Sequence, residues 1–87
     1  MTASDIRERT RAFIRESFLY MRPDYQFDDD QNLLAHGIID SLGAVELLGF
    51  VQEEFAIAVA DEEITEANFG SVRGITEFVM RRRALAA

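Results

Sequence analysis

The sequence predicts an all-α fold: a four-helix bundle of three longer helices and one short one, built as a single domain over residues 1–87. Three observations predict it. The chain of 87 residues is long enough for one hydrophobic core and too short for two. Apolar residues make up 48% of the chain and recur at helical spacing. No segment alternates as a strand would, since IAVA at residues 57–60 is too short and lacks a partner.

The first helix is predicted over residues 4–21. Its apolar stripe repeats every three to four positions, as one face of an α-helix does. The stripe consists of Ile6, Thr10, Phe13, Ile14, Ser17 and Met21. Thr2 or Ser4 can cap its start. Arg22-Pro23 is expected to end it, because proline disfavours the helical conformation in the residue before it.

A long connection over residues 24–40 leads to the second predicted helix, residues 41–55. The connection is polar at Asp28-Asp29-Asp30, and Leu33-Leu34 is expected to anchor it to the core. A link of this length in a small domain is unusual and often functional. The core stripe of the second helix consists of Ala44, Leu47, Leu48, Val51 and Phe55.

The remaining chain predicts a short helical turn near 61–68 and a last helix over 71–83, with Ser71 as its cap. Four apolar residues of the preceding connection are expected to fill the core: Ile57, Val59, Ile64 and Phe69. The last helix buries Val72, Ile75 and Val79. Its terminal arginines, residues 81–83, suit the negative end of the helix dipole and are interpreted as a solvated helix end.

Composition excludes several classes of function. Cysteine is absent, so the chain has no disulfide, no zinc–thiolate site and no thiol nucleophile, which suits a reducing compartment and predicts a cytoplasmic protein. The N-terminal segment MTASDIRERTRAF has no apolar core of a signal peptide, and no apolar run is long enough to span a membrane.

The net charge of −7 is concentrated in the middle of the chain. Residues 24–77 hold thirteen acidic residues and one basic residue, Arg73. Such a segment repels nucleic-acid phosphates and attracts a basic protein partner. The alternative is an acidic surface that serves solubility alone.

The outward face of the second helix predicts a docking surface. Leu42 and Val45 are apolar residues on an otherwise polar face, next to Glu46 and Glu53. Isolated exposed aliphatic residues are also common, so an inert surface remains the alternative. Gly43 and Gly49 each cost this helix about 1 kcal/mol relative to alanine. They indicate close approach, either by a partner or by another helix of the same protein.

Asp40-Ser41 lies where the apolar loop becomes the second helix. Asp40 can be the N-cap and leave the Ser41 hydroxyl free, or Ser41 can itself be the cap. A phosphate on that hydroxyl would be stabilised by the free N–H groups and the dipole of the first turn.

The stretch LLAHGIIDSLGAVELLGFVQEEF, together with DEEIT and NFGSV downstream, resembles the phosphopantetheine-attachment signature of acyl and peptidyl carrier proteins. The resemblance covers about residues 30–80. It implies that Ser41 receives 4′-phosphopantetheine from coenzyme A through a phosphopantetheinyl transferase. The terminal thiol of the arm would then hold a cargo as a thioester. The docking residues implied are Asp40, Leu42, Val45 and Glu46.

The spacing around the motif also bears on the cargo. Two isoleucines follow Gly37, and Gly43 follows Leu42, whereas fatty-acid carriers usually have one apolar residue before the motif and often an acid after it. The pattern is more similar to stand-alone aminoacyl carriers of the D-alanyl type, and to free-standing carriers of specialised metabolism. It implies a non-catalytic, monomeric biosynthetic protein served by an adenylating or acyl-loading enzyme and by downstream acyl- or aminoacyl-using enzymes. The alternative is an unmodified acidic adaptor that binds a basic protein.

Two other motifs fail. Asp28-x-Asp30-x-Asn32 starts like a calcium loop, but its sixth and twelfth positions are Leu33 and Ile39 rather than glycine and glutamate. His36, Asp40 and Ser41 lie too close in sequence for a scaffold to aim them as a catalytic triad. We therefore predict no metal site and no catalytic residues, and interpret the acidic loop as solvated.

Overall fold

The computed structural model describes residues 1–86 and contains, within that range, helices and turns but no strand. Four α-helices follow one another, with one turn of 3₁₀-helix between the second and the third. The α-helices are α1 (Ala3–Phe18), α2 (Ser41–Phe55), α3 (Glu66–Phe69) and α4 (Val72–Ala86), and the 3₁₀ turn is Asp61–Glu63. The predicted fold class of three longer helices and a short one is confirmed.

The apolar faces of the helices share one core. Helix α1 packs against both α2 and α4, and α3 packs against α4. Most of the buried apolar residues form a single cluster: Ile6, Ile14, Leu19, Phe27, Leu33, Ile38, Ile39, Leu47, Val51, Phe55, Val72, Ile75 and Val79. Four of them, Phe27, Leu33, Ile38 and Ile39, come from the long loop, so that loop is fixed to the bundle in both its halves.

Helix α1 begins as predicted and ends earlier than predicted. Thr2 is its N-cap: its hydroxyl accepts from the Asp5 N–H at 3.1 Å, and the Asp5 carboxylate accepts from the Thr2 N–H at 2.9 Å. The predicted end at Met21 is wrong. The chain leaves the helix after Phe18 because Leu19 turns into the core, and Met21 is 79% exposed.

The acidic part of the long loop is tied to the helices. The prediction that it is solvated is confirmed for Asp28 and Asp30, which are exposed, and is wrong for Asp29. Asp29 is half-buried and pairs with Arg11 at 2.9 Å and with Arg7 at 3.6 Å. Its carbonyl accepts from the N–H of Arg73 at 2.8 Å, and the Asp30 carboxylate pairs with the Arg73 side chain. The loop therefore bridges α1 and the start of α4.

Three of the predicted core contacts from loops are wrong. Leu33 is fully buried, but Leu34 is 51% exposed and Ile64 is 47% exposed. Val59 is half-buried and belongs neither to the core cluster nor to the residues packed against it. Ile57 and Phe69 do pack against the core, as predicted. The predicted turn near 61–68 is split into the 3₁₀ turn and α3, whose N-cap is Thr65.

Helix α4 extends to Ala86, beyond the predicted end at Arg83. The Ser71 hydroxyl accepts from the Gly74 N–H at 3.1 Å, so Ser71 caps α4 as predicted. Among the helices described for residues 1–86, none is both long enough and apolar enough to cross a membrane.

Candidate functional site

The first turn of α2 carries the candidate serine. Ser41 is the first residue of the helix and is exposed. The N-cap is Asp40, whose carboxylate accepts from the Gly43 N–H at 2.7 Å. Of the two capping alternatives, the structure shows the one in which Asp40 caps the helix and the Ser41 hydroxyl is left for other chemistry.

The segment before the serine is held firmly. Gly37 has a φ of 69°, a left-handed conformation that glycine adopts without strain. This turn lets the N–H groups of Ile38 and Ile39 both donate to the carbonyl of Leu33, at 3.0 and 3.2 Å. Both isoleucines are buried, 3% and 5% exposed. The two apolar residues before Asp40 therefore anchor the loop up to the start of α2.

The outward face of α2 has the exposure predicted for a docking surface. Leu42 is 74% exposed and Val45 is 66% exposed, and Glu46 and Glu53 are exposed as well. We call Leu42, Val45 and Glu46 the α2 patch. Within residues 1–86, no ion pair involves Glu46 or Asp40, so the negative charge beside Ser41 is not neutralised there.

The two glycines of α2 differ. Gly43 is buried, and a Cβ built on it would lie 2.9 Å from Cε1 of Phe18. Gly49 has no atom within 4 Å of the position where its Cβ would be. Gly43 therefore serves a contact inside the protein, whereas the space at Gly49 is open.

An apolar recess of about 390 Å³ lies beside the start of α2. The loop before Ser41, the first turn of α2 and the segment around α3 enclose it. Its apolar walls are Leu33, Leu34, Ile39, Ala44, Ile64 and Phe69. Asn32 and Glu66 stand at its polar side and are joined by a hydrogen bond of 2.8 Å. Leu34 and Ile64 are thus exposed because they border this recess, which the sequence pattern did not reveal.

The prediction of a solvated helix end is wrong for two of the three arginines at the end of α4: Arg82 and Arg83 are half-buried, whereas Arg81 is exposed. Arg83 donates to the carbonyl of Phe55 at 2.9 Å, and Arg82 donates to the carbonyl of Ala58 at 2.7 Å. Arg82 also pairs with Glu63. The pKa of the Glu63 carboxyl lies below its ordinary value of 4.5. The main cause is the hydrogen bond from the Ala60 N–H, and the second is the hydrogen bond from Arg82. These contacts hold the C-terminal end of α2 and the connection after it.

The described residues contain no group of three or more histidine, aspartate or glutamate side chains placed to hold a metal ion. The Asp28–Asp30 stretch instead supplies the ion pairs to the arginines of α1 and α4. His36, the member of the discarded triad that would act as base, is exposed, while the Asp40 carboxylate is engaged by the Gly43 N–H.

Comparison with known proteins decides the family. A protein-family profile described as "Phosphopantetheine attachment site" matches residues 16–79, most of the chain. A D-alanyl carrier protein of Abiotrophia defectiva is 39% identical over 57 residues, which cover 66% of this chain and 72% of that protein. The chain belongs to the phosphopantetheine-attachment family of carrier proteins. The predicted resemblance is confirmed.

Members of this family carry a covalently attached 4′-phosphopantetheine and are not themselves catalytic. They interact with enzymes that modify them and with enzymes that use the acyl group. The start of α2 fits such a group. It offers an exposed hydroxyl, free of the capping role, on a helical turn whose N–H groups and dipole favour a phosphate.

Proposed function

We propose that Ser41 is the attachment point and that the protein holds an acyl or aminoacyl cargo and delivers it to partner enzymes. The cap at Asp40 carries this proposal, because it leaves the exposed hydroxyl of Ser41 free at the start of a helix. When attached, the arm supplies a terminal thiol that holds the cargo as a thioester. The protein itself has no cysteine, so that thiol is the one available to it.

The chain's own residues have three tasks in this function. The loop anchored by Ile38 and Ile39 fixes where α2 begins. The first turn presents the Ser41 hydroxyl to solvent. The α2 patch gives a modifying enzyme an apolar contact with uncompensated negative charge around it, which favours a partner with a basic rim. Tethering then raises the effective concentration of the cargo in each partner's active site.

An aminoacyl cargo has the best support. The relative from Abiotrophia defectiva is named a D-alanyl carrier protein, and the Gly37-x-x-Asp40-Ser41-Leu42-Gly43 spacing of this chain departs from that usual in fatty-acid carriers. We therefore propose D-alanine or another small amino acid, activated by an adenylating enzyme. The loading test is incubation of the armed protein with candidate adenylating enzymes, ATP and a panel of amino and fatty acids, read by intact mass.

The deciding experiment for the attachment point is intact-mass measurement after incubation with coenzyme A and a broad-specificity phosphopantetheinyl transferase. We expect the mass of one arm to be added to the native chain and none to the Ser41→Ala variant. Ser71→Ala, which alters the cap of α4, is the matched control and should still take one arm. A native chain that stays unmodified with every competent transferase would refute the proposal and favour the acidic adaptor. An arm on the Ser41→Ala variant would place the attachment elsewhere.

A further inference from the structure

We infer that Phe18 at the end of α1 is a positioning residue for the modification of Ser41, acting through its contact with Gly43. This inference rests on the proposed attachment at Ser41. It assigns to the α1–α2 contact a task that goes beyond holding the bundle together: it sets the place of the first turn of α2 and hence of the hydroxyl.

The contact leaves no room for a side chain at position 43. Gly43 is the third residue of α2 and is buried. A Cβ there would lie 2.9 Å from Phe18 Cε1, 3.3 Å from Asp40 Oδ1 and 3.3 Å from Ile39 Cβ. The first distance is shorter than real Cβ contacts, and the other two are tight, so either the neighbours or the helical turn must move.

The neighbours are held in place from behind. The ring of Phe18 packs edge-to-face against Phe13 with centroids 5.8 Å apart, and Phe13 stacks on Phe50 at 4.2 Å. The Asp40 carboxylate is held by its 2.7 Å bond from the Gly43 N–H. Ile39 is 5% exposed. We therefore expect an added Cβ to displace the first turn of α2 rather than these three groups.

That displacement acts on the hydroxyl more than on the α2 patch as a whole. Ser41 and Leu42 lie in the displaced turn, whereas Val45 and Glu46 are next to Leu47, which is buried in the core. A nucleophile misplaced by about 1 Å can lose about a hundredfold in rate. The turnover number of arm transfer should therefore fall further than the KM of the transferase for this protein rises.

The test compares the two glycines of α2. Gly43→Ala, Gly49→Ala, Phe18→Ala and the double variant Phe18→Leu/Gly43→Ala are each assayed for kcat and KM of arm transfer from coenzyme A. Thermal unfolding and hydrogen exchange of the α2 amides are measured on the same samples. Leucine lacks the ring edge that an alanine Cβ at position 43 would meet, so the double variant restores a contact of similar volume.

We expect Gly43→Ala to lower kcat about tenfold or more with KM within about twofold, and its first-turn amides to exchange faster. The double variant should recover most of kcat. Gly49→Ala should match the native protein in kcat, because nothing lies within 4 Å of its Cβ. Phe18→Ala should lower kcat as well, since it removes the same contact without adding an atom to α2. If Gly43→Ala does not fold, the kcat of Phe18→Ala decides whether Phe18 positions Ser41.

Three results would overturn the inference: native kcat in Gly43→Ala or in folded Phe18→Ala, a rise in KM at unchanged kcat, or a loss of rate that follows only the unfolded fraction. A folded double variant without recovery would also count against it. If the native protein takes one arm at Ser41 while all variants behave like it, the inference fails and the proposed function stands. If the native protein takes no arm, the proposed function fails as well.

Discussion

The two ends of α2 differ in how far the rest of the protein covers their side chains. At the N-terminal end, Ser41, Leu42 and Val45 are exposed, and the charges of Asp40 and Glu46 have no ion-pair partner in the described part of the chain. The Asp40 cap and the Phe18 contact hold the backbone of this end without covering its outward face. The side chains that a partner enzyme would meet are thus left available.

At the C-terminal end of α2, the last two residues contact other parts of the protein, although Glu53 beside them is exposed. Phe55 is fully buried, and its carbonyl accepts from Arg83. Glu54 pairs with Arg9 of α1 at 2.7 Å. Ala56 closes the helix in the left-handed conformation, with a φ of 54°. This end is a structural anchor.

The difference shows how a small acidic bundle can be both stable and available for binding. Arginines of α1 and α4 pair with carboxylates away from Ser41, at Asp29, Asp30, Glu54 and Glu63. Asp40 and Glu46, at the start of α2, are in none of these pairs, so their two negative charges remain beside the serine. We expect substitutions at the C-terminal end to change stability and substitutions at the N-terminal end to change modification.

The largest effect should come from the core of the anchored end. Phe55→Ala removes a fully buried ring and should lower the free energy of unfolding by about 3–5 kcal/mol. Urea unfolding followed by circular dichroism measures it. Val45→Ala, on the exposed face of the same helix, is the control and should change stability by less than about 0.5 kcal/mol. Equal losses in both variants would contradict the contrast between the ends.

At the N-terminal end, Val45→Asp should slow arm transfer about tenfold, a loss of about 1.4 kcal/mol of transition-state binding. A charge at the centre of the α2 patch removes the apolar contact and must be desolvated when the transferase docks. Helix content should stay unchanged, since Val45 is exposed. Met80→Asp adds the same charge on α4 and is the control; native transfer kinetics in Val45→Asp would exclude the patch from docking.

Much of this contrast was predictable from the sequence. The bounds of α2, most of its apolar stripe and the exposure of Leu42 and Val45 were predicted, because a helix face repeats every three to four residues. Leu48 is the exception: it was predicted in the core stripe, but it is half-buried outside the core cluster, and Phe50 packs against the core instead. The choice of Asp40 over Ser41 as cap was left open by the sequence, since both residue types cap helices well. Only the direction of the Asp40 carboxylate, toward the Gly43 N–H, decides it.

What could not be predicted depends on contacts between distant segments. The burial of Gly43 against Phe18 joins residues 25 positions apart, and no local pattern records it. The early end of α1 follows from Leu19 entering the core, a tertiary effect that overrides the helical spacing through Met21. The arginines of α4 look like an ordinary helix end in sequence; their partners, the carbonyls of Phe55 and Ala58, are set by the fold.

A smaller effect is expected from the cap of α2. Asp40→Ala should lower the free energy of unfolding by about 1 kcal/mol, because the Gly43 N–H loses its acceptor. Asp40→Asn keeps an acceptor of similar capping strength and should cost little. Thermal or urea unfolding measures both. The pair also separates the two roles proposed for Asp40: slow arm transfer in a stable Asp40→Asn variant would assign its charge to docking, and native transfer would assign it to capping alone.

The smallest effect concerns the ion pair that fastens the connection after α2. Hydrogen bonds from the Ala60 N–H and from Arg82 lower the pKa of Glu63 in the folded state, so the ionised carboxylate stabilises the fold. That contribution is fully present above the ordinary pKa of 4.5 and is lost as the pH falls through the lower pKa of the folded protein.

Glu63→Gln should therefore melt at a slightly lower temperature than the native protein at pH 7, and this gap in melting temperature should close as the pH is lowered below 4.5. Glu62→Gln, at the exposed neighbouring position, should show no such pH-dependent gap. A gap for Glu63→Gln that stays constant down to pH 2 would mean that the carboxylate's charge does not fasten this end of the helix.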